Sequence, residues 1–423
     1  MAGSKAVAGD APRRADLDKC VHCGLCMNAC PTYRELHLEM DSPRGRIYQM
    51  VQVSSGAPIT DSYREHIDLC LACRACETAC PSGVKYGRLV EAARADIENR
   101  SERSFGSQIL RTAVFDYLLP NRALLSVAGA ALHLYRVSGL QRAVRATGIL
   151  GARLDEIERL APEAEMPFFN RNIGRVFPPT AERKYRVAFL AGCIANISFA
   201  RLNEATVRVL QANGCEVSIP EDQTCCGALH VHAGLRETAR FLARRNIDAL
   251  VDGGFDAIIT NAAGCGSTLK EYDELLEDDE RAKRFSGLVR DVNEFLASIG
   301  SNPPMREVRA TVTYQDSCHL AHGQRVRRAP RELLKRVPGL IVKEMQTPDL
   351  CCGSAGIYNV VHTGMSMALL DKKMQAINAT GADRIVTANP GCMLQLRAGV
   401  ARHGHNQRVS HVVEILDEAY SAS

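Results

Sequence analysis

Tryptophan is absent from the 423 residues, and the three aromatic types together make up only 5%. The apolar fraction is nevertheless 46%, which suits a globular protein. The longest apolar patches fall short of the 18 to 20 uninterrupted residues that cross a bilayer, which excludes a spanning helix by sequence. No apolar core precedes Cys20, so the expectation is an unsecreted, cytoplasmic chain. A dinucleotide fingerprint is also lacking. Neither charge sign dominates: 52 Lys and Arg face 48 Asp and Glu, a formal net charge of +4. Thiolate-bound metal shifts such a sum in the negative direction, so nothing here demands nucleic acid.

Cysteine is what the chain has in abundance. Seventeen in an unsecreted chain argue for metal ligation or redox work and against disulfides, and the odd count agrees. Eight fall in two runs, Cys20-x2-Cys23-x2-Cys26-x3-Cys30-Pro31 and Cys70-x2-Cys73-x2-Cys76-x3-Cys80-Pro81. This is the run with which two-cluster ferredoxins hold [4Fe–4S] cubanes, the fourth cysteine of each ligating the other cluster. The expected ligand sets are therefore Cys20, Cys23, Cys26 and Cys80, and Cys70, Cys73, Cys76 and Cys30. Structural zinc is the competing reading, but zinc is usually served by paired C-x2-C units. Each proline is expected to stop its cysteine-bearing turn. Arg44 and Arg46, between the runs, either offset cluster charge or lie exposed.

The organisation expected is α+β and multidomain. A flexible arm covers residues 1–16, and a helical two-[4Fe–4S] ferredoxin-like domain covers 17–93. A helical connecting region at 94–160 packs on the chain's own domains or a partner, or forms an amphipathic surface that touches a membrane. A Pro-rich linker follows at 161–184. Two repeated α/β cysteine-rich domains then occupy 185–300 and 309–420.

The repeat is carried by its cysteines. Cys193, Cys225, Cys226 and Cys265 recur as Cys318, Cys351, Cys352 and Cys392, at offsets of 125, 126, 126 and 127. Strand–helix alternation implies a largely parallel sheet, whose sites form beyond the carboxyl ends of strands. Cys193, Cys265, Cys318 and Cys392 all follow predicted strands, so the eight are candidates for a further redox centre. Gly192, Gly264 and Gly391, and Gly227 and Gly353 after the cysteine pairs, are expected to admit a bulky ligand. Cys215 has no counterpart and reads as a buried small hydrophobe. His230, His232, His319 and His322 read as satisfied or supporting groups, and Asn261 and Asn389 as sulfur donors or strand-end caps. The acidic run Asp273, Glu274, Glu277, Asp278, Asp279 and Glu280 reads as a solvated face.

With both quartets and the duplicated Cys/Cys-Cys-Gly/Cys pattern in view, the sequence resembles the glycolate oxidase iron–sulfur subunits. The resemblance rests on both cysteine runs, Asp41-Ser-Pro-Arg-Gly-Arg-Ile-Tyr48, Thr260-Asn-Ala-Ala-Gly-Cys265 and Leu350-Cys-Cys-Gly-Ser-Ala-Gly-Ile-Tyr358. It implies an electron-transfer subunit with no catalytic residue of its own. Partner flavoprotein subunits carrying FAD are then expected to oxidise glycolate to glyoxylate. Electrons pass on to a quinone or similar acceptor, with peripheral contact at the inner face of the cell membrane. Subunits of lactate and glycerol-3-phosphate dehydrogenases look similar. A thiol or disulfide reductase and a zinc-stabilised interaction scaffold are the readings from other classes. Against the disulfide-reducing branch stands a departure: Cys265 is followed by Gly266-Ser267-Thr268 and Cys392 by Met393-Leu394-Gln395, so a fifth cysteine is missing in both repeats.

Overall fold

The computed structural model describes residues 10–100, 103–151, 154, 158, 161–277, 279–300, 303–403 and 406–420. The chain is a helical ferredoxin-like domain followed by two α/β cysteine-rich repeats.

In the first domain, helices Pro43–Ser54, Asp61–Asp68 and Tyr86–Arg100 enclose Leu17, Ile47, Met50, Ile67, Leu89 and Val90. Ser42 caps the first of these by accepting from the Gly45 N–H at 3.0 Å, with Pro43 at the first helical position. Pro31 does more than end a turn: it opens helix Pro31–Leu36, because its missing N–H is one the first turn leaves unpaired anyway. Residues 10–16, expected as part of a flexible arm, are docked. Asp10 is buried against Arg240, and Arg14–Leu17 forms a short helix. Residues 1–9 lie outside the described residues.

Each repeat builds a small sheet. Strands β1 (Val176–Phe177), β2 (Tyr185–Phe189), β3 (Cys215–Ser218), β4 (Ala257–Thr260) and β5 (Val289–Asp291) are ordered β1-β3-β2-β4-β5. Only β1 runs antiparallel. Strands β6 (Ala310–Tyr314), β7 (Leu340–Val342), β8 (Arg384–Thr387) and β9 (Arg408–His411) are parallel in the order β7-β6-β8-β9. The two orders match strand for strand once β1 is set aside. The central strands are apolar and buried, as sheets covered on both faces require.

One core joins the repeats, running from Phe189 and Val209 of the first to Ile385 and Leu416 of the second. Arg208 and Asp417 pair across the same seam. Short strands β3, β5, β7 and β9 escape sequence reading because three or four residues carry too little alternation. The presumed linker is partly structural: Phe169 is fully buried, and β1 pairs with β3. Cys215 lies in β3, fully buried. The connecting region forms helices Phe105–Arg111, Arg122–Val137 and Leu140–Thr147. Phe115 and Leu125 pack inward, whereas Phe105, Leu110, Val127, Leu134 and Val137 are exposed. Among the described residues no single helix is long and apolar enough to cross a membrane.

His411, ending β9, is fully buried, and burial lowers its pKa to about 4 from 6.5. The unfolded chain takes up this proton near pH 6.5 and the folded chain only near pH 4. Stability conferred by the neutral imidazole is complete above 6.5 and is lost as pH falls through that window, on the order of 3 kcal/mol. Urea unfolding midpoints are expected to drop between pH 7 and pH 4.5, and less so in His411→Asn.

Candidate metal centres

The two ferredoxin-type runs fold alike. His22 and Ala72 have φ of 54° and 51°, and Gly24 and Arg74 have φ of 83° and 64°. These left-handed residues curl each loop so that its amides turn towards the sulfurs, as in backbone anion nests. The curl brings the cysteines around two cavities, and the chain crosses between them. Cys20, Cys23, Cys26 and Cys80 line one, whereas Cys30, Cys70, Cys73 and Cys76 line the other. In each cavity the fourth sulfur comes from the other run.

The outer cavity is open to solvent: Cys23 is exposed, and Val21 and Leu25 stand out beside it. Arg44 lines it, anchored on the His22 carbonyl at 3.1 Å and on Glu39 at 2.6 Å. The inner cavity is buried. Arg46 lines it with no exposure, 4.0 Å from Cys30 Sγ, donating to the Asp41 carbonyl at 2.6 Å and to its carboxylate at 3.1 Å. Both arginines therefore face the sulfurs. The Ala72 N–H at 3.4 Å and the Tyr86 hydroxyl at 3.8 Å donate to Cys70 Sγ, and Thr32 Oγ1 lies 3.3 Å from Cys30 Sγ. Burial raises the Cys20 thiol, pushes Cys26 up to about 11 and drives Cys73 and Cys76 well above their ordinary value. Metal loading must expel those protons.

Among the described residues no three His, Cys, Asp or Glu groups close around a single ion. Four sulfurs spread around a cavity, with amide donors and a guanidinium, are instead a donor set that suits a multi-iron cluster.

The repeats arrange their cysteines differently. In repeat one, Cys193 Sγ and Cys225 Sγ are 3.4 Å apart, and contacts continue through Cys226 to Cys265. In repeat two the order is Cys318, Cys351, Cys352, Cys392. Both chains of sulfurs lie beyond the carboxyl ends of adjacent strands, at the switch point where sheet order reverses. Cys352 is pushed up to about 12, first by its hydrogen bond to Cys351, with burial adding to it.

The neighbouring residues divide. Asn389 donates to Cys392 Sγ at 3.4 Å, but Asn261 is tied to Asn203 and Thr206 and reaches no sulfur. His230 binds the Phe115 carbonyl at 2.7 Å, and His322 spans Thr78 and the Asp349 carbonyl. His232 pairs with Glu91 and stacks on His319, whose Nδ1 is 3.9 Å from Cys318 Sγ. The acidic run is only partly a solvated face: Glu274 pairs with Arg88, Glu277 with Arg13, and Asp279 caps helix Glu280–Leu288. Asp278 lies outside the described residues.

Both glycines after the cysteine pairs sit in the left-handed region, and Gly353 is further constrained by packing. A Cβ on Gly353 would stand 2.4 Å from the Ser366 carbonyl oxygen, and its φ is +90°. Gly227, at φ +81°, abuts Ala239. Gly353→Ala is expected to destabilise the chain by about 2–3 kcal/mol through strain and overlap, read as a lowered thermal midpoint.

Comparison with known proteins covers most of the chain. Family models match as a 4Fe–4S dicluster domain at residues 16–84, the linker region of a glycolate oxidase iron–sulfur subunit at 106–161, and a cysteine-rich domain at 187–270 and 312–397. A probable glycolate oxidase iron–sulfur subunit of Bacillus subtilis is 43% identical over 417 residues, 96% of this chain and 94% of that one. The glycolate oxidase iron–sulfur subunit of Escherichia coli is 33% identical over 98% of this chain and 96% of its own. Lactate utilization protein A of Halalkalibacterium halodurans is 29% identical over 55% of this chain, spanning 96% of that shorter protein.

Proposed function

The chain belongs to the glycolate oxidase iron–sulfur subunit family, and from that premise we propose that it carries electrons from a flavoprotein partner oxidising glycolate to glyoxylate towards a quinone-type acceptor. The observation that carries this reading is the pair of four-sulfur cavities, one solvent-facing and one buried. Cys20, Cys23, Cys26 and Cys80 hold the outer [4Fe–4S] cluster; Cys30, Cys70, Cys73 and Cys76 hold the inner one. When bound, each cubane takes up one electron at a time, which splits the two-electron output of a flavin into single steps.

This chain's residues supply the setting. Arg44 and Arg46 hold positive charge beside the thiolates, the Ala72 amide and Tyr86 hydroxyl donate to sulfur, and burial of the inner cavity keeps water from Cys73 and Cys76. Cysteines of the repeats hold a further iron–sulfur centre. FAD resides on the partner subunits. The apolar outer face of residues 105–137 takes those partners, and it also supplies peripheral contact with the inner face of the cell membrane.

Anaerobic purification of the chain with its copurifying proteins tests this. A flavoprotein should accompany it, and glycolate should reduce the EPR-active clusters only when that partner is present. Reduction by lactate in place of glycolate would move the assignment to the lactate-oxidising relatives. A stable monomer that oxidises either acid unaided would sink the reading.

A further inference from the structure

The eight repeat cysteines are alike in sequence but not in their surroundings. Cys73 of the inner cavity packs into one apolar cluster with Cys318 and Cys351 of repeat two, closed by Leu71, Tyr358 and Leu369. Burial is the main cause raising the Cys73 thiol, and Cys351 is the next. The junction is bolted on both sides: Tyr358 donates to the Leu69 carbonyl at 3.0 Å, and Thr78 Oγ1 lies 2.9 Å from His322 Nδ1. Repeat one is also tied to this domain, through Arg74 to Ser267 at 3.3 Å and Arg94 to the His232 carbonyl at 3.1 Å, but among the described residues none of its cysteines shares a cluster with Cys73. Cys226 and Cys265 pack in a cluster formed wholly by repeat-one residues, and Cys193 lies under Leu125 of the connecting helices. Among the described residues two side chains link the repeat sites: Gln324 donates to the Ala263 carbonyl at 3.0 Å, and Asn389 bridges the sites directly. Its Nδ2 donates to Cys392 Sγ at 3.4 Å, while its Oδ1 accepts from the Gly264 N–H, beside Cys265, at 3.4 Å.

From this asymmetry we propose that Cys318, Cys351, Cys352 and Cys392 hold the redox centre that exchanges electrons with the inner cluster, and that repeat one connects only through repeat two. The proposal rests on the assignment of an iron–sulfur cluster to the inner cavity. The order of sites is then outer cavity, inner cavity, repeat two, repeat one. Each transfer moves one electron from the reduced site to the oxidised one, with no bond made or broken. Electron transfer through packed protein weakens steeply with separation, so the site sharing a contact cluster with Cys73 is the one that couples.

The test compares Cys392→Ala with Cys265→Ala, matched positions neither of which belongs to the Cys73 cluster. Full-length protein is purified anaerobically, reduced stepwise with dithionite and followed by EPR, with iron and sulfide assayed alongside. In the unsubstituted protein the inner-cluster signal, identified as the one that Cys30→Ser abolishes, should be broadened by a neighbouring paramagnet. Cys392→Ala should reduce that broadening to what the outer cluster alone produces and lower the iron content, whereas Cys265→Ala should leave the signal unchanged. Should Cys392→Ala not fold, Asn389→Asp keeps an oxygen to accept from the Gly264 N–H, removes the N–H donor on Cys392 and should alter the relaxation of the same signal. A change with Cys265→Ala alone, or no change with any of the three, overturns the proposal. Absence of both cubane signals from the reduced unsubstituted protein would instead overturn the cluster assignment on which it stands.

Discussion

Replacing Cys30 by serine is expected to abolish the inner cluster and spare the outer one, although Cys30 belongs to the same run as Cys20, Cys23 and Cys26. The reason is geometric. Cys30 begins the turn into helix Pro31–Leu36 and faces the cavity of Cys70, Cys73 and Cys76, with Arg46 4.0 Å from its sulfur. Iron attributable to the two cubanes should fall from about eight to about four per chain. One of two EPR signals should vanish, and passage of electrons beyond the outer site should be lost. Cys80→Ser should give the complementary result, with the outer signal lost. Loss of the outer signal in Cys30→Ser with the inner one retained would refute the crossed arrangement.

The second large effect is expected of Arg46→Gln. Arg46 and Asp41 are both buried, and the guanidinium also donates to the His66 carbonyl at 2.6 Å and to Thr32 at 3.1 Å. Burying such a pair stabilises little, but removing one partner leaves the other charge uncompensated, at a cost of about 3–5 kcal/mol. The His66 Nδ1 lies 2.9 Å from the same Asp41 carboxylate. The thermal midpoint should fall. Loss of a cation beside the sulfurs also disfavours the more negative reduced state. The inner-cluster midpoint potential should therefore move in the negative direction in an EPR-monitored redox titration. An unchanged potential with an unchanged melting curve would mean that Arg46 serves neither purpose.

Much of the architecture was legible residue by residue. Helix Asp61–Asp68 shows why some local structure was harder: it is short, and its polar residues outnumber Tyr63 and Ile67, the two it buries. The repeat announced itself because four cysteines hold register over more than a hundred residues, a pattern that burial alone does not require. Gly353 carries a constraint that the sequence did not disclose: it needs its φ of +90° and its missing Cβ to clear helix Thr363–Asn378. No sequence rule distinguishes a glycine that approaches a ligand from one that approaches a backbone. Arg44 and Arg46 likewise looked alike on paper. Only their place beside the cavities separates them from ordinary surface arginines.

The sequence by itself determined the donor chemistry: how many thiols, at what spacing, with which prolines and glycines between them, and that the second half is one unit written twice. Spacing is local, and the loop that brings three sulfurs to one cavity spans only a few residues. What the tertiary structure decided is which sulfurs share a cavity with which arginine, and which of two equal repeats lies against the inner cavity. Those outcomes depend on contacts between Cys73 and Cys351, or Thr78 and His322, that are hundreds of residues apart in the chain. A repeated sequence makes its two copies chemically similar; the different packing of the rest of the chain against each of them makes them different.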